Sequence, residues 1–115
     1  FIYLGMSSTH LLKGSLQVII LRLLETNGRM YGYEITKTVK EMSKGEFQIT
    51  EGALYPALHK LEAEGLVETT IELVDGRARK YYSLSKQGQT EAKTKLSDVF
   101  EFWRNLQLVL NPKPI

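Results

Sequence analysis

The chain has 115 residues, enough for one small domain, and its 43% hydrophobic and 24% charged residues are the balance of a folded protein rather than a disordered one. It has no cysteine, which excludes disulfides and thiolate chemistry and fits a reducing cytoplasm, and no apolar run reaches the ~18 residues of a membrane span. Fifteen basic against thirteen acidic residues leave a formal charge of +2, a field too faint to decide for nucleic acid by itself.

Residues 1–10 read as an N-terminal extension, helical or in part an added leader, because Phe1 to Gly5 precede Met6. From Ser15 to Asn27 the apolar residues Leu16, Ile19, Ile20, Leu23 and Leu24 make one helical face, and Val18 and Leu21 widen it. That breadth predicts a helix buried from more than one side, with Gly28 as its stop. A second helix is expected over Tyr33–Ser43 on the spacing of Ile35, Val39 and Met42. A third follows Thr50, an N-cap residue, with Glu51 in its first turn, Leu54, Leu58 and Leu61 as core stripe and Gly65 past its end. Pro56 conflicts with that start, so the first turn is irregular or the helix begins later.

Over residues 66–85 the period changes to two. Asp75-Gly76 suits a type I′ hairpin turn, which sets Val74 opposite Arg77 and fixes the register. Val67, Thr69, Ile71 and Leu73 then share a packed face with Leu84, Tyr82, Lys80 and Ala78, while Glu72 faces Arg79 and Thr70 faces Tyr81 on the other. Ser85 caps a last helix to about Leu110, roughly 36 Å long. Its residues Ala92, Leu96, Val99, Trp103, Leu106 and Leu110 alternate steps of four and three, the seam of a coiled coil. So long an apolar helix outreaches its own domain and needs a second chain, with Leu16 and Ile20 of the first helix joining the contact.

Three helices and then a hairpin are the order of a winged helix-turn-helix, α+β and mostly α. It would occupy residues 11–85, with a dimerisation helix over residues 86–111 and a tail at residues 112–115. In such a fold the third helix enters the major groove and the hairpin is the wing. Candidate DNA contacts are Thr50, Glu51, Gly52, Tyr55 and His59 on the third helix, Tyr33 and Lys37 on the second, and Arg77, Arg79 and Lys80 on the wing. Arg79 either reaches phosphate or pairs with Glu72, and the Lys80 stem can lie along the packed face. Catalysis is not expected: His10 and His59 form no metal motif, no Ser/His/Asp set has an interpretable spacing, and no Gly-rich phosphate loop precedes a helix. No cofactor is expected either.

The segments Leu12-Lys-Gly-Ser-Leu16, Tyr31-Gly-Tyr-Glu-Ile35, Glu51-Gly-Ala-Leu-Tyr-Pro-Ala-Leu58, Leu61-Glu-Ala-Glu-Gly-Leu-Val67 and Gly76-Arg-Ala-Arg-Lys-Tyr-Tyr82 follow one another at set intervals. Together they resemble the PadR family of bacterial transcriptional regulators from about Leu11 to Gly88, and the single terminal helix resembles its short-chain subfamily. Ser85 stands where the family often has threonine, which preserves capping. The resemblance implies a cytoplasmic homodimer that binds double-stranded DNA at a two-fold operator, usually a repressor released by a small molecule or stress signal. Phe100-Glu-Phe-Trp103 is similar to the aromatic stretch of multidrug-binding members, which implies that Phe100 and Trp103 take a planar aromatic effector between the dimer halves; dimer packing alone is the alternative for Trp103. A winged-helix protein-interaction or sensor module without operator binding is the alternative function, kept open by Glu51, Glu62 and Glu64 on the third helix.

Overall fold

The computed structural model describes residues 2–111, and for residues 2–10 and residue 13 the backbone alone. Phe1 and the tail at residues 112–115 lie outside the described residues. The elements run α1 (Ile2–Asn27), β1 (Arg29–Tyr31), α2 (Gly32–Met42), α3 (Glu51–Ala63), β2 (Val67–Val74), β3 (Arg77–Leu84) and α4 (Lys86–Leu110). Residues 2–10 continue α1 rather than standing apart from it, since nothing between Ile2 and Asn27 breaks the helix. Gly28, with φ +85, ends it by donating its N–H to the Leu24 carbonyl at 2.9 Å.

The sheet order is β1-β3-β2, all antiparallel. Asp75 (φ 52) and Gly76 (φ 78) form the expected turn, and β2 pairs with β3 in the expected register from Val67↔Leu84 to Val74↔Arg77. β1 has no counterpart among the expected elements. It is three residues long with one buried side chain, Met30, and so carries no period to read.

The core gathers Leu16, Ile20, Leu21 and Leu24 of α1, Ile35 and Val39 of α2, Leu54, Leu58 and Leu61 of α3, and Val67 and Tyr82 at the base of the hairpin. Two expected dimer contacts are thereby corrected. Leu16 and Ile20 are 3% and 0% exposed in the single chain, because the chain's own elements cover the broad apolar face of α1. Met42 is also no core residue: it is 72% exposed on the last turn of α2. The inner face of the hairpin packs only at its base, since Ile71 and Leu73 extend beyond the helices and stay exposed.

Pro56 lies inside α3, which nonetheless starts at Glu51. The Thr50 carbonyl accepts from both Ala53 N (3.1 Å) and Leu54 N (2.9 Å), and Thr50 Oγ1 accepts from Ala53 N at 3.2 Å. The carbonyl that Pro56 leaves without a donor belongs to Gly52, on an exposed first turn where water reaches it. Gly65 (φ +76) closes α3, with Leu66 N bonded to the Leu61 carbonyl at 2.9 Å. There the chain is tied to α4: Ser85 N donates to the Leu66 carbonyl at 3.0 Å, Ser85 Oγ donates to the Gly65 carbonyl at 2.6 Å, and Gly88 N donates to Ser85 Oγ at 2.9 Å.

Candidate nucleic-acid interface

Burial of Leu54, Leu58 and Leu61 fixes which side of α3 faces water. That side carries Glu51, Gly52, Tyr55, Pro56 and His59, all exposed. Thr50 is occupied as N-cap, and Glu51 places a carboxylate at the positive end of the helix, favourable for α3 and unfavourable for a phosphate. Tyr55 is less free than its position suggests. A Cβ on Gly32 would lie 2.5 Å from the Tyr55 hydroxyl oxygen, so the phenol end packs on the first turn of α2, in space that only glycine leaves open. Burial raises the pKa of the neighbouring Tyr82 phenol above its ordinary value, with Tyr55 and Glu62 adding to the effect.

The outer face of the sheet is a lattice of cations and aromatic rings. The Arg29 guanidinium bonds the Glu72 carboxylate twice, one of the bonds being Nη2 to Oε1 at 3.1 Å, and lies 4.1 Å over the Tyr81 ring. Tyr81 meets Tyr31 edge to face at 5.6 Å, and Tyr31 stacks with Tyr33 at 6.4 Å. The Arg79 guanidinium lies 4.1 Å over Tyr31. The cross-strand alternative for Arg79 is therefore corrected: Glu72 stands opposite it in register, yet binds Arg29 of β1, a strand without a signal in the sequence. That bond, first of all, raises the Arg29 pKa and lowers the Glu72 pKa.

On the inner face Lys80 Nζ lies 3.9 Å from Glu62 of α3 and 5.5 Å over the Tyr82 ring, so this wing cation has partners within the chain. Arg77, at the turn, is exposed and forms no ion pair among the described residues. Tyr33 and Lys37 are exposed on α2. The same helix face carries Lys40, with Lys44 just past its end, two cations outside the set of candidate contacts expected from sequence. Their spacing from Lys37, three and then four, was the available signal.

Beyond buried Ala92, α4 leaves most of its seam uncovered. Leu96 and Leu106 are half-buried, Val99, Phe100, Trp103 and Leu110 are exposed, and Trp103 keeps 55% of its surface. Beside them an apolar groove of about 440 Å³ runs between α1, α2 and α4, lined by Val18, Ile19, Leu23, Met42, Phe47 and Val99 among others. Phe100 and Trp103 stand outside that groove. No helix among the described residues is long and apolar enough to cross a membrane.

The pattern of the transcriptional regulator PadR-like family matches residues 20–94, from the C-terminal third of α1 into the first turns of α4. The chain is 32% identical over 107 residues to an uncharacterized protein of Lysinibacillus sphaericus, an alignment spanning 92% of this chain and 94% of that one. It is 42% identical over 50 residues to the transcriptional regulator Rv3488 of Mycobacterium tuberculosis, spanning 44% of this chain and 47% of that one. Among solved structures it is similar to a PadR-like transcriptional regulator of Bacillus cereus, with a TM-score of 0.76, 26% identity, and coverage of 90% of this chain and 99% of that one.

Proposed function

The chain belongs to the PadR-like family of transcriptional regulators, and from that premise we propose that it binds operator DNA as a homodimer and represses the genes behind it. It is a regulator and not an enzyme. The observation that supports the DNA reading is the run from Arg79 over Tyr31 to Tyr33 on α2, with the Tyr55 hydroxyl of α3 packed on the start of that same helix. α3 lies in the major groove and the wing meets phosphate, adding affinity more than sequence choice. Tyr31 holds the Arg79 guanidinium in one place, which lowers the entropy lost when it meets a phosphate.

The homodimer reading rests on α4. Its uncovered seam and the adjoining groove form a contiguous apolar surface of the kind that marks an interaction site. A second copy pairs Leu96, Val99, Trp103, Leu106 and Leu110 with their counterparts, and that pairing sets the distance between the two recognition helices. An effector acts by favouring one dimer geometry over another. Phe100 and Trp103, exposed side by side on α4, supply flat surfaces for a planar aromatic compound between the two chains.

Arg77→Ala combined with Arg79→Ala tests the wing. Binding to DNA weakens across sequences, and the slope of log affinity against log salt flattens by about two units per protomer, close to 0.9 for each phosphate that is no longer neutralised. An unchanged slope overturns the wing role. Salt-independent or absent DNA binding by the folded chain overturns the operator reading and favours a protein partner for the acid-bearing α3.

A further inference from the structure

Charge summed along the chain conceals how charge is arranged on α2. Residues 31–48 hold three lysines and three glutamates and sum to zero. The fold turns Glu34 away from the lysines and leaves Glu41 among them. Lys37 and Lys40 lie in line with Tyr33 on the side of α2 away from buried Ile35 and Val39, and Lys44, past the end of the helix with φ 55, lines the same hollow. Glu34 is turned to the start of the helix, where its Oε1 accepts from Tyr31 N at 3.1 Å. The three lysines are exposed and join no ion pair among the described residues.

They line a hollow of about 580 Å³ with Tyr33, Thr36 and Gln48, and Glu41 is the one acid in that lining. The hollow lies between α2 and the segment that enters α3 at Thr50. Its head, Tyr33, stacks with Tyr31 beneath Arg79, so a line of donors runs from the wing along α2. From Tyr33 to Lys40 the helical part of that line spans roughly 10 Å. A duplex strand places a phosphate about every 3.4 Å along the axis, so the span accommodates several. Three like charges in a row repel one another, and a polyanion laid along them relieves that repulsion.

We propose that Lys37, Lys40 and Lys44, with Tyr33 and Gln48, form a phosphate rail that holds one DNA strand beside the first turn of α3. The rail rests on the operator-binding reading and adds Lys40 and Lys44 to its contacts. It reads no sequence; it adds affinity and fixes how α3 enters the groove.

The test is the salt dependence of binding of the full chain to a labelled random-sequence duplex. The triple variant Lys37→Ala, Lys40→Ala, Lys44→Ala loses about 2.7 units of slope per protomer. A control that removes as much charge from α4, Lys86→Ala, Lys93→Ala and Lys95→Ala, keeps the wild-type slope because screening isolates distant charges. Three outcomes overturn the rail: a wild-type slope in the α2 variant while the Arg77/Arg79 variant flattens, an equal loss in the α4 control, or no DNA binding by the folded wild-type chain. The last removes the operator reading with it, whereas the first two leave that reading standing. Thermal melting curves of the variants, expected to match wild type for exposed lysines, establish that the fold is kept.

Discussion

A Cβ at position 88 would run into the Leu66 carbonyl, part of the backbone, whereas one at position 32 would meet the movable end of Tyr55. The two glycines therefore differ in what replacement does. Gly88→Ala is expected to destabilise the chain by about 1–3 kcal/mol, the range for forcing volume into a closed contact. Gly32→Ala is expected to change stability by less than about 1 kcal/mol, since helix propensity offsets the displaced ring. Urea midpoints of the two variants check this, and equal shifts would refute the assigned contacts. Neither close approach is legible in the sequence, because both neighbours come from another element. His59, in contrast, can be placed on the exposed side of α3 from its distance to Leu58 and Leu61 alone.

Among the elements, α3 and the hairpin are readable and β1 is not. Thr50, the Leu54-Leu58-Leu61 stripe and Gly65 bound α3 by local chemistry, and Asp75-Gly76 sets eight cross-strand pairs through a two-residue turn. β1 exists because Met30 is buried and its backbone pairs with Tyr82, a partner 52 positions later in the chain. The same long range conceals the Arg29–Glu72 pair, which spans β3 to tie the two edge strands together. Its pH behaviour follows from the sign of the shift. The Glu72 pKa is lowered in the folded chain, so the pair's contribution is present above the ordinary carboxylate pKa and is lost as pH falls through the lowered one. An NMR titration is expected to find the Glu72 midpoint below that of a free glutamate and to return it to the ordinary value in Arg29→Ala. No change between the two would break the assigned pair.

At the scale of the whole molecule the chain extends 63 × 35 × 21 Å, longer in one direction than a core of this size supports, and its two long helices are α1 of 26 residues and α4 of 25. The step pattern along α4 points to an uncovered seam, whereas the broad apolar face of α1, with Leu16 and Ile20, is covered within the chain, because breadth of apolar surface on a helix does not say whose residues cover it. Trp103 is the single tryptophan, so its fluorescence reports on that seam directly. Titration with planar cationic dyes is expected to quench it in the dimer, and a broad panel without quenching would leave Trp103 as packing alone. In the proposed repressor two recognition helices are held at a fixed distance by paired α4 helices. Selection of bound duplexes from a random DNA library tests that most directly. The expected result is a palindromic motif with half-sites about one helical turn apart, roughly 34–36 Å centre to centre. No enriched motif from a folded, dimeric preparation would contradict it.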